Sequence, residues 1–208
     1  MLARQGQLNW CKMGSMPEPL TFDPARTAVF SMDLQTAIVS LYAKDADAML
    51  GRAGGVLQRA RSAGMSVIHV QVGFRPGLPE VSARNALFAA IKTNPQHQKL
   101  FEGPAAVIHP AVAPQGEDVV VTKHRISAFS GTDLDMILRA NEIDTLVMFG
   151  IATSGVVLST LLHAVDADYR TAVIADCCAD RNEELHACLA EKFLPSRATV
   201  LTAAQFLP

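Results

Sequence analysis

The chain has 208 residues, half of them apolar, and a formal net charge of -2. That length and apolar share suit one domain with a sizeable core rather than two ordinary domains. With Lys and Arg scattered along the chain and no apolar run near the roughly 20 residues a membrane-spanning helix needs, neither nucleic acid nor a membrane is an expected partner.

Residues 1 to 15 lack a basic start followed by a continuous apolar segment, so they do not read as a secretory signal. Met13-Gly14-Ser15-Met16 reads as a junction, which predicts a tag or disordered extension over 1–15 and a single domain over 16–208. Trp10 and Cys11 leave a second reading open, a native extension that docks on a neighbour. The four cysteines, Cys11, Cys177, Cys178 and Cys188, form no paired framework and no metal-ligand spacing. Reduced thiols in the cytoplasm fit that pattern.

From there, short β-branched runs alternate with stretches of helical period, the signature of repeated βαβ units and a mostly parallel sheet. Strands are predicted at Thr27 to Asp33, Ser66 to Val72, Asp118 to Lys123, Thr145 to Gly150, Thr171 to Ala175 and Ala198 to Leu201. Helices are predicted at Gln35 to Ala63, with a break near Gly54-Gly55, then at Ala83 to Lys92, Thr132 to Asn141, Ser154 to Ala167 and Glu183 to Phe193. In the third of these, Leu134, Ile137 and Leu138 share one face, with Asp133 in the first turn. Residues 73–117 carry Pro76, Pro79, Pro95, Pro104, Pro110 and Pro114 and are read as a long excursion, the kind of segment that walls a pocket.

Open parallel sheets bind ligands beyond the carboxyl ends of their strands, where strand order reverses. Asp33 ends the first strand, Lys123 ends the third, and Gly150-Ile151-Ala152-Thr153-Ser154-Gly155 joins the fourth strand to a helix, so these three sites are the first candidates. Taken singly, Asp33 could be a helix cap, Lys123 a solvated surface group, and Thr153 and Ser154 simple caps. His69 reads as a core residue. His124, next to Lys123 on a strand, points to the opposite face.

The blocks Val29-Phe30-Ser31-Met32-Asp33-Leu34-Gln35, Val121-Thr122-Lys123 and Gly150 through Thr160 together resemble the signature blocks of the isochorismatase-like hydrolases, in matching order and spacing from about Thr27 to Thr202. The resemblance implies a three-layer fold, a six-stranded mostly parallel sheet with helices on both faces. It implies Asp33 as acid or base, Lys123 beside it, and an oxyanion pocket over Ile151, Ala152, Thr153, Ser154, Gly155 and Val156, with Ile151-Ala152 a candidate cis peptide. Amidase members of the family use a cysteine at the start of the helix after the fourth strand. Here Val156 holds that position, while Cys177, Cys178 and Cys188 lie later in the chain. Isochorismatases also lack the cysteine and work by protonating substrate carbon, a role that would fall to Asp33.

Where nicotinamidases carry an Asp-x-His metal pair, this chain reads Val70-Gln71-Val72-Gly73-Phe74-Arg75-Pro76, so neither a metal nor another cofactor is expected. Arg75 offers a planar guanidinium for the carboxylate of a small anionic substrate, unless it is solvated or paired with Glu80. Gln35, Phe74 and Phe129 complete the candidate substrate-binding set, the two rings as apolar walls. The resemblance also implies a homodimer or homotetramer. A second reading is a noncatalytic binding or scaffold protein that kept the fold after losing the nucleophile.

Overall fold

The computed structural model describes residues 20–207, so the expectations for residues 1–15, including Trp10 and Cys11, lie outside the described residues. Six parallel strands form one sheet: β1 (Thr27–Met32), β2 (Ser66–Val72), β3 (Val119–Lys123), β4 (Thr145–Gly150), β5 (Arg170–Ile174) and β6 (Thr199–Leu201). Their order is β3-β2-β1-β4-β5-β6, so the chain first builds outward from β1 and then restarts on its other side at β4. The reversal lies between β1 and β4, and the crevice beyond their carboxyl ends is where such sheets bind ligands.

β1 and β4 are buried along their whole length, as expected of central strands covered on both faces. Phe30, Leu146, Met148 and Phe149 are fully enclosed. Burying each such side chain contributes about 1.5–3 kcal/mol. β3 is an edge strand with Val119, Val120 and Thr122 exposed and only Val121 and Lys123 buried.

The helix predicted from Gln35 to Ala63 is two helices, α1 (Thr36–Tyr42) and α2 (Ala46–Ser62). The break falls at Ala43, whose backbone is extended, and not at Gly54-Gly55. Gly54 sits inside α2 because a Cβ there would lie 3.1 Å from the Ala111 carbonyl oxygen. The glycine serves close packing of a loop on the helix. α2 turns Met49, Leu50, Ala53, Val56, Leu57 and Ala60 to the core at helical spacing.

The excursion between β2 and β3 holds α3 (Ala86–Thr93), α4 (Pro95–Gln98) and α5 (Gly103–Ala106). It returns across the sheet end: Gln35 bridges Ile108, the His109 N–H donates to Leu34 O at 2.8 Å and the Thr36 N–H to Val107 O at 2.9 Å. α6 (Leu134–Ala140) starts later than predicted, with Asp133 outside it and Asp135 in its first turn. Leu134 and Leu138 are buried while Ile137 is only partly so. The segment after β4 opens as a π-helical turn over Thr153–Val157 before α7 (Leu158–Asp166). α8 (Glu183–Cys188) likewise passes into a wider turn at Leu189–Phe193. No helix of the described residues is long and apolar enough to cross a membrane.

Candidate active site

Asp33 follows β1 directly, and its backbone takes the left-handed conformation, φ +54°, that aspartate tolerates better than most residues. Its N–H donates to Val70 O at 2.8 Å, which continues the sheet one residue further and fixes where the side chain starts. Lys123 ends β3, two strands away, in register with Val72. Two strand spacings are about 10 Å, a span that suits a long lysine stem. The Lys123 Nζ meets the Asp33 Oδ2 at 2.8 Å.

Both residues are enclosed, Asp33 at 6 % exposure and Lys123 at 3 %. Nζ also donates to Arg125 O at 3.0 Å. Asp33 Oδ1 is buried with no hydrogen-bond partner. Burial pushes the Asp33 carboxyl above its ordinary range, and the charge and hydrogen bond of Lys123 only partly offset this.

On the other side, Gly150 ends β4 at φ +148°, where a Cβ would lie 2.1 Å from Met32 O. Only glycine lets β4 run this close to β1. The Ile151 N–H donates to Met32 O at 3.1 Å, and the Ile151-Ala152 peptide bond is cis. Beyond it the turn is clamped by the segment after β5. Ala179 O accepts from the Thr153 N–H at 2.9 Å, Asp180 Oδ2 accepts from the Ser154 N–H at 2.8 Å and from its hydroxyl at 2.6 Å, and Thr153 Oγ1 meets His186 Nδ1 at 2.8 Å. The Gly155 N–H is occupied by Ala152 O, so Gly155 has no amide to offer an oxyanion, contrary to expectation. Val156 is 2 % exposed and packs in the main core.

Asp33, Lys123 and the turn after Gly150 therefore stand at the ends of β1, β3 and β4, with Asp33 and Lys123 in contact. The remaining candidates are placed differently. Gln35 is buried, donating to Val72 O and Ala106 O and accepting from the Val72 N–H. Those bonds tie the excursion to β2 and correct the substrate-binding role expected of Gln35. Phe129 stacks on His163 with ring centroids 4.3 Å apart and belongs to the core against α7. Phe74 meets Phe88 and Phe101 edge-to-face within the excursion.

The Arg75 side chain is 64 % exposed, with Nη1 3.7 Å from Glu80 Oε1 and 3.3 Å from His124 Nε2. His124 Nδ1 lies 2.6 Å from Gly73 O. His69, at the centre of β2, contacts Asp118 at 3.1 Å, and Asp118 in turn pairs with Arg61.

Sequence reasoning missed Asp180 and His186, which hold the turn, and two nearby guanidinium groups. Arg125 is held by His124 O and Glu80 O, and Arg181 lies over the Tyr42 ring at 5.7 Å. Neither has a carboxylate within 4.0 Å among the described residues. Arg125 had a visible signal, since it follows Lys123 by two. Asp180 and His186 act through contacts 26 and 33 residues distant in sequence, which no local pattern records.

A cavity of about 620 Å³ opens at the amino ends of β2 and β3, away from Asp33. In its lining Arg61 and Asp118 pair with one another, and Asp118 also meets His69 Nε2 at 3.1 Å. Among the described residues no group of three or more His, Cys, Asp or Glu could hold a metal ion.

A family model described as the isochorismatase domain matches residues 27–205. The maleamate amidohydrolase of Pseudomonas putida is 32% identical over 158 residues, covering 76% of this chain and 72% of that protein. A ureidoacrylate amidohydrolase of Methylobacterium radiotolerans is 34% identical over 192 residues, covering 83% and 74%. Among solved structures, an isochorismatase family protein from Burkholderia thailandensis superimposes with a TM-score of 0.76 at 28% identity, over 88% of this chain and 94% of that one. A cysteine hydrolase from Pseudomonas syringae reaches 0.78 at 25% identity, over 91% and 96%. By the reach of the family model and the extent of these similarities, the chain belongs to the isochorismatase-like hydrolase family.

Proposed function

We propose that the protein hydrolyses a small anionic metabolite, most simply an amide, using Asp33 as acid and base and no cysteine nucleophile. The buried contact between Asp33 and Lys123, with Asp33 Oδ1 left without a partner, carries this reading. That oxygen is the atom to which a proton from water can pass. Water adds to the amide carbonyl carbon as Asp33 takes its proton; the proton then goes to the departing nitrogen as the C–N bond breaks. The products are a carboxylic acid and an amine. A carboxyl raised by burial lies nearer neutral pH, where general acid–base transfer is most effective. Lys123 supports the charged form. In the turn, the amides of Ser154 and Gly155 already have acceptors, so oxyanion stabilisation falls to those of Ala152 and Val156.

Val156 offers no thiol, and the thiols nearest in the fold suit nucleophilic attack poorly. Burial pushes Cys177 far up, with nearby Asp176 adding to it, and pushes Cys178 up to about 12. Cys188 is exposed on α8. An anionic substrate is supported by Arg125 and Arg181, cations without acidic partners among the described residues. The relatives named for maleamate and ureidoacrylate act on small carboxylates, which agrees with that charge.

The test is turnover of a panel of short amides of carboxylic acids, maleamate among them, by the wild type and by Asp33→Asn. General acid–base catalysis contributes about 100- to 10,000-fold, so a loss of that order is expected in a variant that still folds, with its melting temperature lowered because Lys123 is left unpaired. Equal rates would sink the assignment. The buried Val156 also favours a second reading, a scaffold that binds small acids without converting them. Binding without turnover across amides, esters and vinyl ethers would select it.

A further inference from the structure

The excursion between β2 and β3 carries a hydrophobic cluster of its own. Leu78, Val81 and Phe88 are buried there, apart from the main core, with Phe74 and Ile91 packed against them. A pocket of about 290 Å³, open to solvent, lies against this cluster, with Phe74, Leu78, Ile91 and Phe101 in its lining.

Two features keep it open. Phe74 is braced edge-to-face against both Phe88, at 5.7 Å, and Phe101, at 5.2 Å, so its ring cannot swing inward without losing both contacts. Leu78, in turn, lines the cavity from a left-handed backbone, φ +49°, directly after Gly77. A bulky side chain in that conformation costs on the order of 1 kcal/mol or more and persists where surrounding structure imposes it. Lys92 imposes it here, its Nζ donating to Leu78 O at 3.0 Å and to Val81 O at 3.3 Å. The turn is thus held with Leu78 between the cluster and the pocket.

Size and charge limit what fits. About 150 Å³ suffices for benzene in an apolar cavity, so 290 Å³ takes one ring with a short substituent and excludes a nucleotide or a peptide. Arg75 and Glu102 both border the cavity from exposed positions. Arg75 Nη1 is engaged by Glu80 and His124, and its Nε and Nη2 remain on the planar guanidinium for a carboxylate to bridge through two hydrogen bonds. Glu102 repels a second negative charge. We propose that this cavity binds a monoanionic aryl carboxylate, its ring between Phe74, Leu78, Ile91 and Phe101 and its carboxylate on Arg75. The site adjoins the Lys123 end of β3, since the Gly73 N–H just before Phe74 donates to Lys123 O at 3.1 Å, but it does not need the hydrolytic role of Asp33.

Benzoate and phenylacetate are the probes, titrated calorimetrically into the intact protein with acetate as the ringless control. Saturable one-to-one binding of at least one aryl acid is expected, with acetate at least tenfold weaker. Arg75→Gln should weaken the aryl acid about tenfold, Ile91→Trp should abolish binding by filling the space, and Asp33→Asn should leave it unchanged. Should Ile91→Trp fail to fold, contacts between the probe's ring protons and the methyls of Leu78 and Ile91 in the wild type, read by NMR, decide the matter. No saturable binding, binding that survives Ile91→Trp in a folded protein, loss of binding in Asp33→Asn, or ring contacts to other methyls would each overturn the proposal.

Discussion

Lys123, on an edge strand, reaches past β2 to place its Nζ 2.8 Å from the Asp33 carboxylate at the end of β1, and both groups are enclosed there. Removing one member of a buried ion pair typically costs about 3–5 kcal/mol because the other charge is left uncompensated. Lys123→Met should approach that cost at neutral pH and recover much of it in acid. The direction follows from Asp33, whose folded pKa is already raised by burial and would rise further without Lys123. A raised carboxyl contributes stability below its unfolded value of about 3.9 and loses it as pH climbs through the folded value. Thermal melts from pH 5 to 8 should show the variant falling more steeply than the wild type, and parallel curves would contradict this.

Val156→Cys asks whether the turn after β4 remains a competent nucleophile site. Val156 sits on the turn that opens into α7, and a helix amino terminus lowers a thiol's pKa. Amide hydrolysis should rise at least about tenfold, by analogy with the rate effects of positioned catalytic groups. The stability loss should stay under about 1.5 kcal/mol for so small a change in volume. An unaltered rate in a folded variant would show that the turn is no longer aligned with Asp33 and Lys123.

Gly150→Ala tests the close approach of β4 to β1. Its Cβ would sit 2.1 Å from Met32 O, and backbone cannot move aside as a flexible side chain can. A loss of about 4 kcal/mol or more is expected, at the level reserved for severe steric faults. Urea unfolding within about 1 kcal/mol of the wild type would contradict the geometry.

Much of the fold was legible in the sequence. β2 and β4 begin and end at the predicted residues, β4 because a strand buried on both faces takes a near-continuous apolar run. Asp33 and Lys123 stood out as polar residues closing such runs. What escaped was tertiary. Gly54 reads as a helix breaker until the Ala111 carbonyl beside it is seen. Gln35 reads as a site residue beside Asp33, yet its amide joins two segments of backbone through contacts 37 and 71 residues away. The proline-rich excursion reads as irregular, and its aromatic cluster depends on Phe74, Phe88 and Phe101 meeting across three short segments.

The central claim is that a carboxylate, not a sulfur, drives the reaction, and a cysteine-free protein tests it most directly. With Cys11, Cys177, Cys178 and Cys188 all replaced by alanine, hydrolysis of the best amide from the panel should stay within about twofold of wild type, a change of under about 0.5 kcal/mol in the barrier. A folded cysteine-free protein whose rate drops to the uncatalysed background would contradict the claim.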